Sequence, residues 1–279
     1  HHAVLAVMWC RTALHDPEYR STSVPLAAVY AVSALLFAVS ATVAPPTRFV
    51  LWGAALLLEI LTLTSVGRLV PDAAGLRTHG LSNPVVERFG SLVMIVVGGI
   101  VIGAIDGVSA NGHLGREVLF TGLEAIVVAC GLAWVYFDFV SRLRPLPALS
   151  AVWANLHFFV IAGMAGVWAA VVTTVGHADE AFPPQVHWLL VGSMALTFLG
   201  LAGLMAVLEV RQTRRREYDR GIGLLLAIAL VSVLTGSLDI GQSRSLMIGV
   251  ALLAIPIGYG MMTWGRLRES AEVPQATDI

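Results

Sequence analysis

Polar positions along this chain come in short clusters, and between them lie apolar runs too long for the core helices of a small domain. Eight such runs occupy residues 24–44, 49–66, 89–108, 118–140, 151–175, 186–208, 221–241 and 245–264. Each offers about 18 or more nearly uncharged residues, enough at a rise of ~1.5 Å per residue to cross a hydrocarbon core ~30 Å thick. The pattern predicts an all-α protein, a polytopic transmembrane helix bundle of eight full spans. A ninth, partial apolar run, from His2 to Leu14, is too short to span and reads as the inner end of a helix whose beginning is missing. The expected organisation is a partial helix and cytoplasmic segment over 1–23, a membrane domain over 24–268 and a polar cytoplasmic tail over 269–279. No initiator Met and no basic n-region precede the first run, so a signal peptide is not expected. His1 and His2 read either as native residues or as the remnant of a tag.

Composition agrees with the pattern. Of 279 residues, 57% are hydrophobic and 13% charged, and the mean hydropathy is +0.81, far from the charge content of a soluble domain. The net charge of −1 is less informative than where the basic residues fall. All 17 are Arg, and if each run crosses once, one side holds fourteen of them against three on the other, at Arg48, Arg116 and Arg244. The positive-inside rule then places the C-terminus and the loop 209–220 in the cytoplasm.

The chain has no Lys. Both a retinal Schiff base and a Walker A phosphate loop need a Lys amine, so both are excluded. No HExxH, CxxCH or paired CxxC occurs, and no metal or cofactor is expected. Cys10 and Cys130 lie in apolar runs without a partner at redox spacing and read as buried small apolar residues. The Arg cluster of 211–220 reads as a topogenic, headgroup-facing segment and not as a nucleic-acid surface. The expected partners are membrane lipids, with a small molecule or a proton as a conceivable substrate and a homo-oligomer as an open arrangement.

Ionisable groups inside a membrane are costly, so each is a functional candidate by default. Glu59 lies near the middle of the second run, out of reach of either surface. It reads either as a proton or substrate site or as a structural, hydrogen-bonded carboxyl. On the fourth run, Glu124 and Asp138 are fourteen residues apart, which at about 100° each returns to within ~40° of the starting direction. Gly131 falls between them on the same stripe, a face expected to look inward. The fifth run opens with WANLHFFV, which sets Asn155 and His157 at the depth of Asp138 and of the Glu87–Arg88 pair. His157 there serves either as a proton relay or as a packing histidine. Glu87 and Arg88 are expected to cap a helix and anchor an ion-pair network. Toward the other face, Asp106, His187 and Asp239 lie close enough to the interface to be solvated. Gly99, Gly103 and Gly107 stand in small-xxx-small register, the spacing that lets helices in lipid approach closely. Pro256 should kink the last span.

The stretches HGLSNPVVERFGSLVMIVVGGIVIG, LAWVYFD and NLHFFVIAGMAGV resemble the bacterial low temperature requirement A family of integral membrane proteins. Glu87, Arg88, Phe89 and Gly90 match its ERFG helix opening, Trp134, Tyr136, Phe137 and Asp138 its WWxYFD helix end, and His157 the start of its next helix. The similarity extends from about residue 1 to about residue 268. The family's ELFFDLVFVFA-like opening helix is absent, and the carboxylate of its LGES segment is replaced where this chain reads VVGGI, at Gly98 and Gly99. The resemblance implies a multi-spanning membrane protein connected with growth in the cold and carries no catalytic residues with it. Two functions follow. One is a transporter or permease in which Glu59, Glu124, Asp138, Asn155 and His157 line a polar path. The other is a non-catalytic scaffold or stress-response protein that works by packing with lipid or a partner. An enzyme acting on lipid would need a nucleophile or metal constellation that the sequence does not show.

Overall fold

The computed structural model describes residues 1–69, 81, 83–112, 114–141, 143–178, 183–238 and 242–271. Every long element among them is a helix: α1 His2–His15, α2 Arg20–Ser40, α3 Thr47–Leu69, α4 Asn83–Asn111, α5 Arg116–Phe139, α6 Ser150–Gly176, α7 Pro184–Ala206, α8 Arg215–Thr235 and α9 Gln242–Ala271. The protein is an all-α, polytopic membrane-type bundle. Helices α2 to α9 lie on the eight apolar runs, and among the described residues seven of them are long and apolar enough to cross a membrane. With no water in the hydrocarbon, a spanning segment must satisfy its backbone internally, which selects helices. Buried hydroxyls follow the same rule: Thr174, Thr197 and Ser232 each donate to the carbonyl four residues back, at 2.7, 2.9 and 2.9 Å.

The chain forms two compact bodies. The first comprises residues 1–81 and 145–155 and is built on α1, α2 and α3. Here α2 packs on both neighbours. The α2–α3 turn is fixed by Trp52 Nε1 donating to Ser40 Oγ at 2.8 Å and by Arg48 Nε donating to the Ser40 and Val43 carbonyls, both at 3.2 Å.

The second body comprises residues 82–144 and 156–279. Glycine sets its helix contacts, because a missing Cβ is what lets two backbones close up where lipid supplies no hydrophobic drive. A Cβ at Gly99 would lie 2.7 Å from Trp168 Cε3, one at Gly103 2.5 Å from Trp168 Cδ1, and one at Gly107 2.7 Å from Val175 Cβ, so α4 and α6 run parallel along one seam. On the other side of α6, Gly163 and Gly166 back onto Thr197 and Ser193, while Gly200 and Gly203 back onto Val160 and Leu156, an antiparallel pair with α7. Gly221 meets Met205 and Gly236 meets Trp188, which sets α8 antiparallel to α7. Gly131 meets Leu253, and Gly260 meets the Asp138 carboxylate, so α5 and α9 run parallel. In each of these pairs the direction is the one that consecutive crossings by α4 to α9 would produce.

Two polar ties close the ends of this body. Arg144 donates to Asn83 Oδ1 through Nε at 3.0 Å and through its second terminal nitrogen, while its carbonyl accepts from the Glu209 amide at 2.9 Å. At the opposite end His187 Nε2 stands 3.1 Å from the Thr235 carbonyl and His187 Nδ1 3.1 Å from Ser245 Oγ. A carbonyl can only accept, so Nε2 carries the donated hydrogen. The solvated His187 expected from its place in the sequence is corrected here: it is 5% exposed, because α8 and α9 supply partners for both ring nitrogens. Asp106 is exposed, and Asp239 lies outside the described residues.

Candidate functional site

His157 is fully buried in the second body, and two other segments converge on it. Its Nε2 shares a 3.1 Å hydrogen bond with the Tyr136 hydroxyl, and the Phe89 ring lies 4.5 Å from the imidazole, centre to centre. Tyr136 is 1% exposed and meets Phe137 edge-on at 5.2 Å. Each helix brings its member by register: Phe89 stands six residues into α4, Tyr136 three from the end of α5, and His157 seven into α6. The result is an aromatic knot around one satisfied histidine, and its chemistry is that of packing and hydrogen bonding.

Glu87 and Arg88 are exposed one turn inside α4, which opens earlier than the apolar run, at Asn83. Among the described residues no ion pair joins either of them. The interhelix tie at this end is made by Asn83 and Arg144 instead.

Glu59 belongs to the first body. Its Oε1 lies 3.1 Å from His2 Nε2, and the His2 ring stacks on Phe37 at 4.7 Å and tilts against Tyr30 at 6.4 Å. Asn155 is also in the first body, half-buried, and its Nδ2 finds no acceptor among the described residues. Glu124, Asp138 and His157 are in the second. There the Glu124, Gly131 and Asp138 stripe turns its lower two members to α9, where Leu253 and Gly260 repeat the same seven-residue interval; Glu124 is half-buried.

Asp138 also borders a cavity of about 1000 Å³. Arg214, Glu217, Tyr218, Tyr259 and Thr263 form its polar end with Asp138, and Met94, Cys130, Ala133, Trp134 and Phe137 form its apolar wall. The Tyr259 hydroxyl donates to the Glu217 carbonyl at 2.7 Å and holds α9 to the first turn of α8. Neither cysteine is buried, contrary to the expectation from the apolar runs. A helix in lipid turns apolar residues outward, so hydrophobic character does not imply burial there. Sequence reasoning named Asp138 but not Arg214, Glu217 or Tyr218. Its only signal for them was the alternating charge of RRREYDR, which reads as a solvated loop.

The three segments that meet at His157 are the ones on which the family resemblance rests. Residues 1–255 match the family described as bacterial low temperature requirement A protein, LtrA. The chain belongs to the LtrA family. No curated protein and no solved structure matches it. The match covers α1 to α8 and the first part of α9, and so spans both bodies. At the LtrA segment where this chain carries Gly98 and Gly99, the two glycines differ in kind: Gly98 has nothing within 4 Å of a Cβ, while Gly99 lies under the Trp168 indole.

Proposed function

We propose that this LtrA-family protein is a non-catalytic scaffold of the bacterial inner membrane, C-terminus in the cytoplasm, that supports growth in the cold through helix packing and lipid contact. One observation carries the reading. The family's motif residues Phe89, Tyr136 and His157 are spent on one another, in a buried knot with a hydrogen bond at its centre. The family's designation as low temperature requirement proteins supplies the link to cold. The eighth crossing, by α3, is part of the proposal: the helix has the length, at 23 residues, and Arg density on one side of the membrane favours an even count.

Growth in the cold separates the two classes of residue. Leu at Gly99, Gly103 or Gly107 is expected to abolish complementation of a deletion strain at low temperature, whereas Glu59→Gln, Glu124→Gln and Asp138→Asn are expected to complement. The opposite pattern, with tolerant glycines and intolerant carboxylates, would falsify the scaffold.

A second reading, a transporter, is favoured by the cavity beside Asp138. It requires pH-driven or substrate-driven flux in proteoliposomes that Asp138→Asn and Glu59→Gln diminish.

A further inference from the structure

Hydrogen-bond donors at the polar end of the cavity divide into spent and unspent. The Thr263 hydroxyl stands 2.9 Å from both the Tyr259 and the Gly260 carbonyl, and the Tyr259 hydroxyl donates to the Glu217 carbonyl at 2.7 Å. Arg211 and Arg215 are engaged by Asp219, at 2.8 and 3.4 Å. Arg214 and Tyr218, four residues apart where α8 begins, are different. Both line the cavity within electrostatic reach of each other, and among the described residues neither side chain makes a hydrogen bond or an ion pair. A guanidinium and a phenol both offer hydrogens, so this end calls for an acceptor.

The rest of the wall selects a shape. Trp134, Phe137, Phe139, Tyr218 and Tyr259 bring five rings to one cavity, and Met94 and Met205 bring sulfur. Aromatic faces and thioethers both favour a flat π system. At about 1000 Å³ the cavity lies at the upper end of the range for small-molecule sites. On the side of α4 and α5, Met94 is 48% exposed, Trp134 51% and Phe137 38%. On spanning helices such side chains face hydrocarbon, so an apolar tail can leave the cavity there without meeting water.

Charge narrows the head group. Glu217 lines the same end, so a carboxylate or phosphate head would meet a like charge beside Arg214. An uncharged carbonyl gains both donors without that opposition. We infer that the cavity binds an isoprenoid quinone, one ring carbonyl accepting from Tyr218 and Arg214, the ring against the aromatic wall, and the isoprenoid tail running past Trp134 and Met94 into the bilayer. The site goes beyond the scaffold reading and does not rest on it.

The test uses the full chain reconstituted in phospholipid vesicles that hold three probes in equal amounts. These are a short-tailed menaquinone, the same tail on a naphthalene that lacks both carbonyls, and oleic acid. After extraction in mild detergent the retained species are weighed by native mass spectrometry. One quinone per chain is expected, about tenfold over the naphthalene, the discrimination of one hydrogen bond to an otherwise unsatisfied donor, and in excess of oleic acid. Tyr218→Phe keeps the ring, removes a hydroxyl that holds nothing else in place, and is expected to cut that preference about fivefold. Trp134→Ala, at an exposed position, is expected to lower retention of quinone and naphthalene alike, also about fivefold, by loss of one aromatic contact. Equal retention of quinone and naphthalene, oleic acid retained in preference to the quinone, or an unchanged preference in Tyr218→Phe each overturns the site. The cold-growth result for the glycine variants is independent of these measurements, so failure of the quinone site and failure of the scaffold are told apart.

Discussion

Tyr136 and His157 show what a single hydrogen bond is worth where no water can replace it. Tyr136→Phe removes the hydroxyl and leaves His157 Nε2 without that partner in a fully buried place. The expected cost is about 1–3 kcal/mol, read as a lowered unfolding midpoint in detergent micelles, and a midpoint unchanged within error would take the bond out of the account. Sequence depth singled out His157 and Asp138 but could not name their neighbours, since Phe89, Tyr136 and His157 are brought together only by helix register. Glu59 makes the same point. Its place in the middle of an apolar run was legible, but the partner is His2, 57 positions away. Cys130 reverses the usual inference, being apolar by context and exposed by location.

Helices α4 and α6 meet along glycines, and the two adjacent glycines of α4 give a matched pair for testing that seam. Gly99→Leu must displace Trp168, and such overpacking costs about 1–3 kcal/mol. Gly98→Leu enters open space and should leave thermal stability in micelles unchanged. If both variants melt alike, the seam is not what joins these helices. Helix existence was fully legible because hydropathy marks the hydrocarbon portion of each span. Helix ends were not: α4 starts six residues before its run and ends three beyond it, since backbone hydrogen bonding continues into the polar zone where hydropathy is silent. That displacement moves Glu87 and Arg88 from a helix cap to an exposed second turn, and leaves the tie at this end to Asn83 and Arg144.

For the whole molecule, Arg counting predicts both termini and the loop 209–220 on the cytoplasmic side, with 109–117 outside. Fusions of a fluorescent reporter and of an exported phosphatase after Ile279 and within those two loops should report inside, inside and outside in turn. An active phosphatase after Ile279 would remove the eighth crossing. The parallel and antiparallel pairs within the second body agree with such alternation, and nothing in composition foretold which helices would be neighbours. Neighbour choice comes from where glycine meets bulk, as at Gly236 and Trp188. Helix α7 is the extreme case: 67% of its most apolar stretch is buried, against 28% for that of α9. Its side chains are therefore fitted to protein and hardly to lipid. Over generations α9 can exchange one aliphatic residue for another along its outer face at little cost, while α7 can change only in step with the helices around it. Among descendants of this chain, the most hydrophobic-looking drift should gather on the outer helices, and α7 should keep not its hydrophobicity but its sizes.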